Sequence, residues 1–445
     1  MKRLFTFICL VSLVTVFFAL SAFAQEGAVA SVGGVEYNSL QDAIDAAGKG
    51  DTVLLLTDLE IETGVSTGEA KGYFSVYADD EITIDFNGKT ISATESATGH
   101  FVLFYNRGTL TVQNGAVDLT STVNRGWNAL SAVFMNRGGV FTVESGAYEH
   151  KGGTDMAFAL DNSGNSFGDA YAYVNGGSLV STYRAIRLRM ADTTLNGGGN
   201  GIVSLTVTGG EIYGANSGVW GQITNAYAGE LGDLGITGGT IGGGKTAINM
   251  AKDEHENIDV TISGDAHING VISGEAGDFA ISGGTFTSAI PEGFLAQGFS
   301  PVLNSDGTYS VAIDLSAAFT FLGYSINNEH TSITAGYNVN QETLALWREQ
   351  NGVESFDFGC VFGINGVISE KSATSFAKYT EYQNFNAKIK GIDSSNSTHI
   401  NANLSMALYV NRGNGMEYVV ELDSEIAIVG AEDIPSVTFA SFIKK

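Results

Sequence analysis

Along most of the chain, apolar residues alternate with polar ones for a few positions, stop at a glycine or asparagine, and resume. A period of two is that of a β-strand with one face buried, and helices are excluded over this region because the spacing is wrong and glycine is too frequent. The same short unit recurs: Leu110-Thr-Val-Gln-Asn-Gly-Ala-Val117, Phe141-Thr-Val-Glu-Ser-Gly-Ala-Tyr148, Ala172-Tyr-Val-Asn-Gly-Gly-Ser-Leu179 and Leu205-Thr-Val-Thr-Gly-Gly-Glu-Ile212. It continues as Leu234 to Ile241, Val260 to His267 and Phe279 to Phe286, with Ile82 to Lys89 an earlier member. Their corner glycines, at 88, 115, 146, 177, 210, 239, 264 and 284, are 27, 31, 31, 33, 29, 25 and 20 residues apart.

Such steps are too long for hairpins and fit one coil of a solenoid, so like strands are expected to stack in parallel. A second element precedes each corner, as in Phe104-Tyr-Asn-Arg-Gly108, Phe134-Met-Asn-Arg-Gly138, Leu160-Asp-Asn-Ser-Gly164, Ile223-Thr-Asn225 and Ile248-Asn249. Asn106, Asn136, Asn162 and Asn225 are expected to form a ladder, because asparagine tolerates left-handed backbone and its amide bonds along a stack. Insertions at Asn196 to Gly201 and Tyr227 to Asp233 are expected to be loops. Leu40, Ala43, Ile44 and Ala47 behind Ser39 predict a short amphipathic helix ahead of a strand at Thr52 to Leu56, which would cap the exposed end of the stack.

Residues 30 to about 312 resemble the pectate-lyase-like right-handed β-helix proteins common among bacterial secreted and cell-surface proteins. The resemblance rests on Tyr37-Asn-Ser-Leu-Gln-Asp-Ala-Ile-Asp-Ala-Ala47, Gly50-Asp-Thr-Val-Leu-Leu-Leu56 and the repeated Ser/Thr-Gly-Gly corners. The segment from Ile281 through Phe294 to Val311 is similar to the final coil of that group. After Leu315 the repeat ends. Strand-like runs at Phe319 to Ile326, Ser332 to Val339, Ser355 to Phe362, Phe385 to Lys390, Asn401 to Val410, Glu417 to Leu422 and Val437 to Phe442, with a helix at Gln341 to Glu349, predict a β-sandwich, immunoglobulin-like in pattern. The expected organisation is therefore all-β: a signal segment at 1–24, a right-handed parallel β-helix with N-terminal helical cap at 25–314, and a β-sandwich-like domain at 315–445.

The first 24 residues supply the signal: Lys2 and Arg3, an apolar run from Leu4 to Leu20, then Ala22-Phe23-Ala24. This run is too short and weakly flanked to be kept as a membrane span, and no later stretch reaches the length that crossing needs. A secreted or noncovalently surface-associated protein is the expectation. Without Lys2 and Arg3 the chain carries 20 basic and 48 acidic side chains, which opposes nucleic acid and anionic lipid as partners and favours cations, neutral glycans or basic proteins. Of the two cysteines only Cys360 remains after Cys9 is removed, so no intramolecular disulfide forms and a core-facing thiol is expected.

Basic residues are scarce, so the run Arg184-Ala-Ile-Arg-Leu-Arg-Met190 stands out. Arg187 and Arg189 project to one side of a strand and Ile186, Leu188 and Met190 to the other. β-Helix lyases, which the scaffold resembles, use an arginine or lysine base beside a cation-neutralised uronate. Their Arg-x-Pro-x-x-Arg pattern is absent, the only prolines being Pro291, Pro301 and Pro435. Polygalacturonase-like enzymes use clustered aspartates, Gly-His-Gly and Arg-x-Lys; Arg187-Leu-Arg189 matches the last only loosely, and Asp79-Asp80 lacks the companion motifs. No catalytic residue is therefore assigned.

Pairing of Arg187 or Arg189 with Asp161 on the preceding coil, in an exposed ion pair, is the simpler expectation. The candidate ligand face comprises Arg184, Arg187, Arg189, Asp161 and Trp220, the last as a sugar-stacking ring for which packing is the simpler reading. His100, His150, His255 and His267 have no metal-ligand spacing, and Asp253-Glu-His-Glu256 reads as a solvated loop. No metal or cofactor is assigned, although the many carboxylates leave room for weak Ca²⁺ sites. Gly198-Gly199 and Gly242 to Gly244 read as loop glycines without a phosphate-loop context. The expected function is noncatalytic adhesion, glycan or protein binding, or a stalk, with a divergent polysaccharide lyase or glycosidase as the alternative; oligomeric state is left open.

Overall fold

The computed structural model describes residues 27–314 apart from 69, 126–128, 154–155, 165–167, 191–200, 224–231, 251–257 and 292, together with the later strands and helix named below. The signal-like segment, Asn225, Gly198-Gly199 and Asp253 to Glu256 lie outside the described residues. Two compact units form, one of residues up to Phe294 with Leu303–Ser310, the other of Leu295–Val302 with Val311–Lys445.

The first unit is a parallel β-helix. In its first sheet the strands Asp51–Leu55, Glu81–Asp85, Thr109–Gln113, Val140–Val143, Ala170–Val174, Val203–Val207, Gly232–Ile236, Asp259–Ile262 and Phe279–Ile281 pair in parallel, one coil to the next. Their register aligns Ile82, Leu110, Phe141, Ala172, Leu205, Leu234, Val260 and Phe279, the positions at which the sequence repeat aligned them. Here Gly232 and Asp233 belong to a strand rather than a loop, because their backbone continues the pairing with Val203 and Ser204.

A second sheet begins at Leu59–Thr63 and Thr90–Glu95, continues through Ala116–Ser121, Ala147–Gly152, Ser178–Ser181 and Glu211–Gly214, and reaches Thr285–Phe286. A third takes Phe74–Val76, Phe101–Asn106, Ser131–Arg137, Ala157–Gly164, Arg184–Met190 and Ser217–Ile223. Thr240–Asn249 serves both later sheets, its start pairing with Glu211–Gly214 and its end with Ser217–Trp220. Gly242, Gly243 and Gly244 are thus strand residues, not loop glycines; a Cβ on Gly243 would lie 1.8 Å from the Thr246 carbonyl oxygen, which is why glycine stands there.

Inward residues of the three sheets make the core. Phe104, Phe134, Leu160, Ile186, Val219 and Ile248 form one buried column of the third sheet, and Val117, Tyr148, Leu179, Ile212, Ile241 and Ile268 one of the second. The ring of Phe134 sits 5.4 Å from that of Phe104, 4.8 Å from Phe141 and 5.1 Å from Tyr148, so aromatic contacts bridge all three sheets. The repeat placed His267 in this column. Its corner, Ser-Gly-Asp-Ala, is one residue longer than those of the five coils before it, so Ile268 fills the column and His267 is exposed; in the first member, whose corner is two residues longer, Ile91 rather than Lys89 joins the column.

Seven of the eight corner glycines adopt left-handed backbone. At the eighth corner Asn114 takes that role, with φ 59°, and Gly115 is instead required by space: a Cβ there would lie 2.2 Å from the Phe86 Cβ. The ladder forms at the predicted places, Asn106 donating to the Asn136 side-chain oxygen at 2.8 Å and Asn136 to that of Asn162 at 2.8 Å. Its physical basis differs from the expectation. These asparagines are strand residues that occupy the turn between the third and first sheets, where each amide also donates to carbonyls: Asn106 to Val140, Asn136 to Gly139 and Tyr171, Asn162 to Ser204. Next in register come Leu188 and Gly221, and Asn249 falls in the neighbouring column beside Trp220.

At the N-terminal end, Ala30–Val32 and Val35–Tyr37 pair antiparallel and add to Asp51–Leu55. The predicted helix runs Leu40–Ala46, with the Ser39 hydroxyl accepting from the Asp42 amide and Leu40, Ala43 and Ile44 buried; Ala47 lies just past its end. Gln41 both donates to the Ser75 carbonyl and accepts from the Ser75 amide, at 3.0 and 2.8 Å, so one side-chain amide completes the open edge of the third sheet. At the other end Tyr309 and Ser310 pair antiparallel with Phe286 and Thr285.

In the second unit, Phe319–Ile326, Ser332–Val339 and Asn384–Lys390 form one antiparallel sheet. Asp357–Ile364, Val367–Ile368, Thr374–Lys378, Asn403–Asn411, Met416–Ala427 and Val437–Ile443 form another, and the helix spans Gln341–Asn351.

Replacing Asn136 by Ala removes a rung and strands buried carbonyls on two coils. Urea unfolding is expected to show a loss of about 2–4 kcal/mol; a loss below about 0.5 kcal/mol would mean the ladder is incidental to stability.

Candidate functional site

The candidate residues converge on the outward side of the third sheet. Its register sets Tyr105, Met135, Asp161, Arg187, Trp220 and Asn249 in one column, one residue per coil, and Val102, Ala132, Phe158, Arg184, Ser217 and Thr246 in the next. Asp161 and Arg187 are therefore in-register neighbours on adjacent strands, and Trp220 follows on the coil after.

Arg187 holds Asp161 in a two-point contact, Nε to Oδ1 at 2.8 Å and Nη2 to Oδ2 at 2.6 Å, and the Ser163 hydroxyl donates to Oδ1 at 3.0 Å. Both residues have no exposed surface. The expectation of an exposed ion pair is thereby corrected: this sheet face is outward from the coil yet covered, and an isolated charge could not remain there. Burial alone would push the Asp161 carboxyl up, but the charge and hydrogen bonds of Arg187, followed by the charge of Arg189, hold it below the usual carboxylate range. Arg189, half-buried, aligns with Ser163, so it reinforces the pair rather than replacing Arg187 in it.

Aromatic rings complete the arrangement. The Arg187 guanidinium lies 4.6 Å from the Phe158 ring centre, and that of Arg184 lies 3.7 Å from Trp220 and 4.7 Å from Tyr183. Phe158 and Trp220 are parallel within 8° with centres 6.3 Å apart. Val102, Tyr105, Leu130, Ala132, Met135, Met156 and Phe158 form an apolar cluster on which Trp220 packs, half-buried. Two arginines thus sit among aromatic faces, in a setting where cation–π attraction is strengthened by loss of water.

A neighbouring polar network was missed from sequence because its members come from five segments. The Glu95 carboxylate, fully buried, accepts Arg125 Nη1 at 2.7 Å, a second contact from Arg125 Nη2, and the Ser131 hydroxyl at 3.1 Å. Arg125 also donates to Ser121 and to the carbonyls of Ala97 and Gly99. Ser131 Oγ lies 2.8 Å from Nε2 of buried His150, and His100 Nδ1 accepts the Leu130 amide at 3.1 Å. Burial, partly offset by the Glu95 charge, pushes His150 down to about 4. A glutamate at a strand position whose alternation demands burial was the one signal available.

Among the described residues no group of three or more His, Cys, Asp or Glu side chains is placed to hold a metal, and no helix is long and apolar enough to cross a membrane. No protein-family model, curated protein or solved structure matches the chain.

Asp161→Ala leaves Arg187 buried without its partner and is expected to cost about 3–5 kcal/mol in urea unfolding. The double variant Asp161→Leu, Arg187→Met is expected to return to within about 1 kcal/mol of the native chain, since an apolar pair of similar volume fits a buried site. A cost below about 1 kcal/mol for the single variant would show that the pair is solvated.

Proposed function

We propose that the chain is a noncatalytic secreted or surface protein that binds an extracellular glycan or protein through the outer face of its third sheet. The observation that carries this reading is the ring–guanidinium stack of Trp220 with Arg184, flanked by Phe158, on a rigid strand array. A flat indole paired with a fixed cation suits a sugar ring or an aromatic or acidic side chain. Catalysis is disfavoured by the state of Arg187: the arginine that would act as a lyase base is committed to Asp161. The parallel β-helix is compatible with the pectate-lyase-like group, with which the first coils share their sequence pattern, but a shared scaffold does not carry an activity. Secretion is supported by the basic, apolar and small-residue order of residues 1–24, and the C-terminal unit is assigned attachment or recognition, its antiparallel strands being consistent with a sandwich module.

Retention of the chain from Gln25 onward on immobilised neutral and anionic polysaccharides, with and without Ca²⁺, tests the reading alongside assays for unsaturated products and new reducing ends. Retention without turnover is expected, weakened about tenfold by Trp220→Ala, a size typical of an aromatic anchor. Product release that Arg187→Ala abolishes would overturn it in favour of a lyase or glycosidase.

A further inference from the structure

On the second sheet a tyrosine occupies space that a glycine leaves open. Along Glu211–Gly214 the inward residue is Ile212, fully buried, so Glu211 and Tyr213 face outward. In register with Tyr213 come Val180 on the coil before, Gly242 on the coil after and Asn269 on the coil beyond. Gly242 is buried although its position faces outward. A Cβ there would lie 3.0 Å from Tyr213 Cδ2 and 3.7 Å from Asn269 Cβ. The ring thus extends along the column over the Gly242 backbone, and any larger residue at 242 would lift it. Covered by the sheet on one side, Tyr213 still keeps 39% of its surface exposed.

The groups around the ring can hydrogen-bond outward. The Thr287 hydroxyl accepts from the Gly270 amide at 2.9 Å and gives its own proton to the Asn269 side-chain oxygen at 3.3 Å. That bond orients the Asn269 amide and leaves its nitrogen, which only donates, without a partner among the described residues. Glu211, two residues before Tyr213 on the same face, adds a carboxylate, and Thr240, in register with Glu211, a hydroxyl. Glu60, Glu62, Asp118 and Glu149 also face outward on this sheet, where Lys151 is paired with Asp118 and Glu149.

We propose that Tyr213, Gly242 and Asn269 form a binding site for a neutral β-linked pyranose chain, of the glucan or xylan kind, on a face separate from the third sheet. A pyranose whose hydroxyls are all equatorial presents a flat C–H face that packs on an aromatic ring, rimmed by hydroxyls that both donate and accept. Asn269 donates to that rim and Glu211 accepts from it. An acidic polymer would be repelled by the carboxylates of this sheet. A cation would suit Tyr213 and Glu211, yet it has no lone pair for the Asn269 N–H. Tyr173, with 37% of its surface exposed, supplies an internal comparison: its register neighbours on the first sheet are Thr142 and Thr206, so no adjacent glycine gives its ring a bed.

The site goes beyond the third-sheet reading and does not depend on it. Its test is a saturation-transfer NMR titration of the chain from Gln25 onward with cellohexaose and xylohexaose, with hexagalacturonate and the glucosamine hexamer as charged counterparts. Either neutral hexasaccharide is expected to bind with a dissociation constant on the order of 1 mM, as suits one ring face and a few hydrogen bonds, with the strongest transfer to axial C–H protons. Tyr213→Ala and Gly242→Leu are expected to weaken binding about tenfold, the first by removing the ring and the second by lifting it, whereas Tyr213→Phe and Tyr173→Ala keep it. The comparison is repeated in the Trp220→Ala background, which removes the third-sheet anchor, and the Tyr213 effect is expected to persist there. Binding that Trp220→Ala abolishes and Tyr213→Ala leaves intact would overturn this site and spare the third-sheet reading. Absence of binding at about 10 mM of either neutral hexasaccharide, or tighter binding of a charged hexamer that depends on Tyr213, would overturn the neutral-glycan assignment.

Discussion

In-register parallel pairing governs this molecule. Once a strand hydrogen-bonds to its counterpart on the preceding coil, every side chain is stacked on one from the coil before, about 4.8 Å away, and the two-residue period decides which columns face inward. A column can persist only if its members tolerate each other's company. Phe104, Phe134, Leu160 and Ile186 do so by excluding water, Asn106, Asn136 and Asn162 by exchanging amide bonds, and Asp161 and Arg187 by opposite charge. On the outer side of the first sheet, Thr52, Thr83, Thr111 and Thr142 form a further uniform column.

This constraint explains what was legible in the amino-acid order. Because each coil repeats the same columns, alternation and corner glycines revealed the strands, their parallel order and the first-sheet register, and a shared offset from the corner revealed the asparagine ladder. Small departures escaped: longer corners before Ile91 and Ile268 moved Lys89 and His267 out of the core column, and the glycines at 242–244 read as a loop although they bridge two sheets. In the C-terminal unit the longer strand runs were visible from alternation, but Val367–Ile368 and Thr374–Lys378 were not, and pairings such as Asp357–Ile364 with Asn403–Asn411 depend on distant partners that no local pattern names.

The candidate site was legible in part for the same reason. Arg184, Arg187 and Arg189 were picked out because basic residues are scarce, Asp161 as a carboxylate on the preceding coil and Trp220 as a ring on a later one, and stacking does bring Asp161, Arg187 and Trp220 into one column. Alternation marks a residue as outward from the coil, however, and outward here is not the same as solvated: Arg187 is fully buried. The Glu95–Arg125–Ser131–His150 network joins the end of a second-sheet strand, a connecting segment, the start of a third-sheet strand and the next coil, so no single spacing announces it. Burial of His150 within it makes stability fall as pH drops below the ordinary histidine range.

Distances along the threonine column test the parallel stack most directly. With Cys360 replaced by serine, spin-label pairs placed at Thr83 and Thr142 and at Thr83 and Thr206 span two and four strand steps of the first sheet. The stack predicts that the second separation exceeds the first by about 10 Å, two strand spacings, with the label linkers cancelling. Equal separations, or a second shorter than the first, would contradict the in-register solenoid and every column assignment built upon it.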